Sequence, residues 1–183
     1  MFARRYPPWA RTGTPLPGNR YASWCTYYGD GDIYSFEEGR EEGRVVFRFR
    51  NEPQPKRLMY GLVRLPEFVV YDPDGKEVVR IRRTRRAPRA IFEMRDGKEL
   101  RATIVRRHPL FSSYDIHLAG GPDWRFKLPL FTIDFFAESS IGGRLLARQD
   151  RHYQWFMVVD TNHDSPYLLH ALAFIHRERI RVG

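Results

Sequence analysis

The sequence predicts a mainly β protein: a closed antiparallel barrel of about twelve strands, built from hairpins around a buried C-terminal helix. Three observations lead there. The tetrapeptide Asp-Gly-Lys-Glu occurs at Asp74 to Glu77 and again at Asp96 to Glu99, each time between short runs rich in Val, Ile and Phe. Asp-Gly between such runs signals a hairpin, because Gly75 and Gly97 can take the positive φ of a tight turn. The segment Tyr167 to Ile175, YLLHALAFI, is apolar on nearly every face, so it has to be covered all round instead of lying on a surface. Finally, a long series of hairpins must dispose of its sheet edges, and closure into a barrel removes them.

Taken in order, residues 1–19 hold Pro7, Pro8, Pro15 and Pro17, the arginines Arg4, Arg5 and Arg11, and the aromatics Tyr6 and Trp9, with no usable period. This stretch is predicted to be a basic, proline-rich and aromatic arm. Residues 20–183 are predicted to form one barrel domain. Tyr21, Trp24, Tyr27, Tyr28, Tyr34 and Phe36 surround Gly29-Asp30-Gly31-Asp32, which suits a short hairpin. RVVFRFR, from Arg44 to Arg50, alternates and reads as a half-buried strand with Val45, Phe47 and Phe49 on one face. Pro53 and Pro55 end it.

Three hairpins follow on a common plan: Glu67 to Tyr71 with Glu77 to Arg82, Ala90 to Met94 with Leu100 to Arg106, and Tyr114 to Leu118 with Trp124 to Leu128. A fourth pairs Phe131 to Ala137 with Arg144 to Arg148 around Ile141-Gly142-Gly143, and Tyr153 to Val159 is the last strand. The helix is predicted over about 166–177. Asp164 or Ser165 can cap it, Pro166 suits its first turn, and Arg177, Arg179 and Arg181 complement its negative C-terminal end.

A chain of 183 residues suits a single domain. Its longest apolar run is about half of the ~20 residues a membrane helix needs, so no transmembrane segment is expected. No apolar signal core follows Arg4 and Arg5, and the expected location is cytoplasmic, with association at a membrane surface as one reading. Cys25 is the single cysteine, which excludes an intramolecular disulfide and a multi-thiolate metal site and suits a buried small side chain. The formal net charge is +9 and only four of the 31 basic residues are lysine: Lys56, Lys76, Lys98 and Lys127. Arginine-rich basicity suits bidentate contact with phosphate, although a GC-rich genome yields the same bias.

From about Leu58 to Arg179 the chain resembles the tubby C-terminal-like superfamily, most closely its LURP-one-related branch. The likeness is carried by YDPDGKEVVRIRR, by MRDGKELRATIVRRHPLFSSYDIHL, by AGGPDWRFKL and by the helix LLHALAFI preceded by an acidic loop. It implies a barrel of about twelve strands around a central C-terminal helix. Tubby itself binds phosphoinositides, but no short motif here allows its ligand residues to be carried over, and fold alone does not imply function.

The main candidate site is positional. If the Asp-Gly turns lie at one end of the barrel, the connections between hairpins lie at the other. Those connections carry Arg82, Arg83, Arg85, Arg86 and Arg89, then Arg106, Arg107 and His108, then Arg148 and Arg151. Arg82, Arg83, Arg85, Arg86, Arg106, Arg107, Arg148 and Arg151 are therefore predicted to share a polyanion-binding rim. The competing reading is a set of solvated strand ends paired with Glu93, Glu99 or Asp150.

Other candidates are weaker. His108, His117, His152, His163, His170 and His176 lack the i, i+4 spacing with a flanking Glu of zinc hydrolases, and His170 is expected to be a core residue. Asp160-Thr161-Asn162-His163-Asp164 has the oxygen density of a calcium loop but lacks the later Gly and Glu of an EF-hand. Asp30, Asp32, Glu37, Glu38, Glu41 and Glu42 read as a solvated acidic loop. Nucleophile-elbow, P-loop and dinucleotide fingerprints are absent. No metal, cofactor or catalytic residue is expected. Arg4, Arg5, Tyr6, Trp9 and Arg11 could stack on single-stranded nucleic acid, lie at a lipid interface or cover a strand edge. The expectation is a non-enzymatic protein that binds anionic phospholipid or another polyanion. A nucleic-acid-associated protein and a structural scaffold without a small ligand are the alternatives.

Overall fold

The structure is a computed structural model. It describes residues 4–5, 20–26, 30–36, 42–52, 67–85, 89–108, 113–127, 134–139, 144–149, 155–159 and 166–180. For residues 4, 5, 20, 42, 134–139, 144–149, 155–159, 179 and 180 it describes the backbone alone. The molecule is mainly β, an antiparallel sheet with one C-terminal helix.

The strands are β1 (Arg4–Arg5), β2 (Arg20–Cys25), β3 (Gly31–Phe36), β4 (Glu42–Glu52), β5 (Glu67–Tyr71), β6 (Glu77–Arg85), β7 (Ile91–Asp96), β8 (Glu99–Arg106), β9 (Ser113–Leu118), β10 (Asp123–Lys127), β11 (Asp134–Ser139), β12 (Arg144–Gln149) and β13 (Trp155–Val159). The helix α1 covers Pro166–Ile180. Among the described residues this is thirteen strands, where the sequence suggested about twelve. The addition is β1, whose two residues lie opposite Glu42 and Gly43 of β4, so part of the expected arm is paired backbone. The remaining arm residues, Tyr6, Trp9 and Arg11 among them, lie outside the described residues.

Consecutive strands pair from β5 through to β13, β13 pairs with β2, and β2, β3 and β4 follow in order. β4 then pairs with β5, from Arg48↔Tyr71 to Glu52↔Glu67. Gly75, Gly97 and Gly120 turn the hairpins with φ of 88°, 57° and 76°, a region open to glycine at little cost. Asp72 supports the first turn by accepting from the backbone N–H groups of Asp74 and Lys76, at 3.0 and 2.8 Å.

One face of the sheet packs on α1. Phe49, Phe68, Val70, Val79, Ile81, Phe92, Met94, Ile104, Ile116 and Phe126 form a core with Leu168, Leu172, Phe174 and Ile175. Leu168, Leu172, Ala173 and Ile175 are buried and Leu169 is partly buried, as a helix without a polar stripe requires. Phe174 fills the space between strands, with its ring 5.5 Å from that of Phe68 and 4.8 Å from that of Phe92.

The face assignment of β4 needs correction. Val45, Phe47 and Phe49 were expected to point the same way, but a register shift between Ile33 and Tyr34 of β3 places Ile33 opposite Phe47 and Tyr34 opposite Val45. One extra residue on β4 reverses the side-chain alternation. Phe47 and Phe49 therefore face the helix, while Val45 joins a separate buried cluster with Ala22, Tyr34 and Phe36.

Candidate functional site

Pairing register decides where the predicted arginines lie. The Gly75, Gly97 and Gly120 turns close the β5–β6, β7–β8 and β9–β10 hairpins at one end of the sheet. Arg82, Arg83 and Arg85 end β6 opposite Glu93, Phe92 and Ile91 at the start of β7. Arg106 ends β8 opposite Tyr114, and the Arg107 N–H donates to the Ser113 carbonyl at 2.9 Å. The two basic segments thus occupy the same, connection end, two strands apart, about 9 to 10 Å at the usual strand spacing. The Arg148 backbone pairs with Asp134 and Met157; its side chain, Arg86 and Arg151 lie outside the described residues.

Strand alternation then divides these arginines between the two faces. Arg83 shares the helix-facing row of Phe92, and its guanidinium sits 5.7 Å from that ring's centroid, a cation–π distance. Its Nε donates to the Arg85 carbonyl at 3.3 Å, and among the described residues it makes no ion pair. Arg106 shares the row of Tyr114, with its Nε donating to the His108 carbonyl at 3.2 Å. Arg82 and Arg107 face the other way. Arg82 pairs with Glu67 at 2.8 Å and Arg107 with Asp115 at 3.0 Å.

These are not the acids the sequence suggested. Glu93 pairs with Arg95 at 2.8 Å, and Glu99 pairs with Arg101 at 2.5 Å near the turn end. Asp150 lies outside the described residues. Glu67 was missed because it is 15 residues from Arg82 in the chain, and only the β5–β6 ladder makes them neighbours. Next to it, Arg80 contacts Glu52, Glu67 and Glu77 at 3.0, 2.8 and 2.6 Å. Hydrogen bonding to Glu77 raises the Arg80 pKa further, and the Tyr71 hydroxyl holds the Glu52 carboxyl below its ordinary value.

The helix C-terminus reaches the connection end too, an arrangement sequence reasoning missed. Arg177 is only 2% exposed. It donates to the Asn51 side-chain oxygen and to Glu178, and its guanidinium lies 5.6 Å from the Phe68 ring and 5.9 Å from the Phe174 ring. One residue earlier, His176 Nδ1 is 2.7 Å from Ser23 Oγ. Buried alongside, the Cys25 thiol is pushed up to about 12 by desolvation, so it stays protonated and inert.

His170 is fully buried, with neither ring nitrogen hydrogen-bonded among the described residues. The Phe47 ring meets it edge-on at 4.5 Å, and burial lowers its pKa to about 3. A neutral imidazole sealed among apolar groups packs; it does not move protons. His117 pairs with Asp123 at 3.0 Å on the surface. Asp30 accepts from the Asn51 N–H at 2.9 Å. His152 and the segment from Asp160 to Asp164 lie outside the described residues. Among those described, no three His, Cys, Asp or Glu side chains converge in a metal-holding group, and no helix is long and apolar enough to cross a membrane.

No family model matches this chain, and no curated protein matches it. A solved structure does: the X-ray structure of a protein from Arabidopsis thaliana, AT5G01750, is similar over 91% of this chain and 99% of its own, with a TM-score of 0.56 and 16% sequence identity. At that identity the likeness is one of fold.

Proposed function

We propose that this chain is a non-enzymatic binding protein, a tubby-like barrel that takes anionic phospholipid headgroups, or another polyanion, at its connection end. The observation that carries this reading is the convergence of Arg82, Arg83, Arg85, Arg106 and Arg107 on one end of the sheet. Positive charge gathered within a Debye length, ~8 to 10 Å, attracts phosphate groups and repels itself until they arrive. Closure into a barrel is part of the reading, supported by the β4–β5 ladder and by an apolar helix that needs cover on every side. The motifs shared with the tubby C-terminal-like superfamily and the fold shared with the Arabidopsis structure point the same way.

The non-enzymatic part rests on burial. The one hydroxyl–imidazole pair described, Ser23 with His176, is 3% and 0% exposed, out of reach of a substrate. Leu100 is the single large apolar side chain that stands exposed among the described residues, so a membrane would be met by charge, at an anionic surface such as the cytoplasmic leaflet.

Co-sedimentation with vesicles tests the reading. The double variant Arg83→Glu with Arg106→Glu inverts two of the charges gathered at that end. At about 1 kcal/mol per basic residue near an anionic surface, it should weaken binding to anionic vesicles by at least about a hundredfold, while circular dichroism stays that of the parent. Retained binding would sink the rim reading. Co-purifying nucleic acid, seen as a high 260 to 280 nm absorbance ratio, would favour the nucleic-acid alternative.

A further inference from the structure

The outer face of β2, β3 and β4, toward the turn end, is apolar where a face open to water would be polar. On the helix side of these strands, Ser23 Oγ meets His176 Nδ1 at 2.7 Å, and Cys25, Ile33 and Phe49 join the core around α1. Alternation therefore puts Ala22 and Trp24 of β2 and Tyr34 and Phe36 of β3 on the outer face, with Val45 of β4 opposite Tyr34. These residues form one cluster, and Ala22, Tyr34 and Phe36 are no more than 2% exposed. The Phe36 ring lies across Gly43, where a Cβ would come within 2.5 Å of it. Yet α1 packs on the other face, and the described residues include no second helix or sheet to lie over this one. The cover comes from chain outside them.

Topology names the segment. β1 lies on β4 with Arg4 opposite Gly43 and Arg5 opposite Glu42, while β2 begins at Arg20, opposite Phe36. Arg5 and Arg20 thus stand at the same end of the sheet with β4 and β3 between them, three strand spacings or about 14 to 15 Å apart. The chain that joins them, residues 6–19, has to cross both strands, and the helix side is already filled by the core. Fully extended, fourteen residues reach ~46 to 50 Å. That is enough to run about 13 Å along the face to Trp24, return, and still cross. Residues 53–66 leave and rejoin the sheet at Glu52 and Glu67, the far end of β4. They could touch Val45, seven residues along the strand, only when drawn out almost straight and back.

We propose that the outer face of β2, β3 and β4 is a docking surface for this chain's own residues 6–19. Pro7, Pro8, Pro15 and Pro17 favour the polyproline II conformation, and proline-rich segments dock on aromatic-lined surfaces at low entropic cost. Trp24, Tyr34 and Phe36 supply that lining. A proline also has no N–H to leave unpaired against an apolar face, and Tyr6 and Trp9 bring large rings to bury. Charge agrees with shape. Arg4, Arg5 and Arg11 lie in the segment and its β1 anchor, whereas the neighbouring connection from β3 to β4 carries Glu37, Glu38 and Glu41 and leads into Glu42. The basic aromatic stretch is thereby committed to the sheet, at the end away from the arginine rim, and not to nucleic acid or lipid.

Photo-crosslinking in the full chain tests this. Trp24, partly buried at the border of the cluster, is replaced by benzoylphenylalanine, and the irradiated protein is digested with trypsin. The expected product has the mass of a single chain and links the peptide holding position 24 to residues 6–11 or 12–20. A product of two chains would give the face to a second copy, and a link to residues 53–66, or no link to residues 6–20, would leave the segment elsewhere; each overturns the proposal. The variant Tyr6→Ala with Trp9→Ala should raise binding of an apolar fluorescent dye several-fold, while circular dichroism and binding to anionic vesicles stay those of the parent. Unchanged dye binding, or vesicle binding lost without a rise in dye binding, would also overturn it, the latter by giving the segment to the membrane. The Arg83→Glu with Arg106→Glu variant leaves this face untouched and should crosslink as the parent does, so this docking and the rim reading fail separately.

Discussion

The two ends of the molecule use the same residue type in opposite ways. Toward the turn end, Arg101 is ringed by Asp96 at 3.4 Å, Glu99 at 2.5 Å and the Tyr167 ring at 5.3 Å, so its charge is spent within the structure. At the connection end, Arg83 meets an aromatic ring and a carbonyl, and Arg107 shares a single carboxylate with Arg125. Arginine content therefore says little by itself. The local ratio of acids to guanidinium groups separates an arginine that braces a hairpin from one that presents charge to a partner.

The largest expected effect tests the core that both ends rest on. Leu172→Ala removes a fully packed side chain from α1 and should cost about 2 to 5 kcal/mol in denaturant unfolding. A cost below about 1 kcal/mol would mean that the helix is not packed into the sheet as the common core of the two ends.

His170 gives the next effect, in pH dependence. Its ordinary pKa of 6.5 falls to about 3 in the folded protein, so below pH 6.5 the unfolded chain binds a proton that the folded chain refuses. Stability is unaffected by this group above pH 6.5 and declines as pH drops from 6.5 towards 3, at up to about 1.4 kcal/mol per pH unit. His170→Leu should remove that component, seen as a variant profile flatter than the parent's across the window, so that the difference between the two changes with pH. It should also leave vesicle binding intact, since His170 serves packing; a parallel pair of pH profiles, or lost binding, would contradict that role.

Smallest is the effect at the turn end. Arg101→Gln should lower stability by less than about 1 kcal/mol, as expected for partly exposed ion pairs, and should not alter vesicle binding. If it weakens binding as strongly as the Arg83 and Arg106 reversals, the functional contrast between the ends disappears.

Much of the fold was legible in the residues. The Asp-Gly turns at Gly75 and Gly97, the strand from Glu67 to Tyr71 and the apolar helix lie where local pattern placed them, because turn geometry and hydrophobic period are properties of a few neighbouring residues. Val45 was not legible. Its face depends on an extra residue that shows only when β3 and β4 are paired. The site was half legible: the arginines are plain in the sequence, while their partners Glu67 and Asp115 are contributed by other strands.

What the sequence alone determined is the alternation of strands and tight turns, the need to enclose an apolar helix, and a large positive charge concentrated at the connections between hairpins. Those follow from local conformational preference and from composition. Only the tertiary structure decided which arginines keep their charge. Strand register sets Arg107 and Arg125 on Asp115, and helix packing buries Arg177 against Phe68 and Phe174. The physical reason is range. A turn is specified within four residues, whereas neutralisation of a charge depends on whatever group lies a few ångströms away, from any part of the chain.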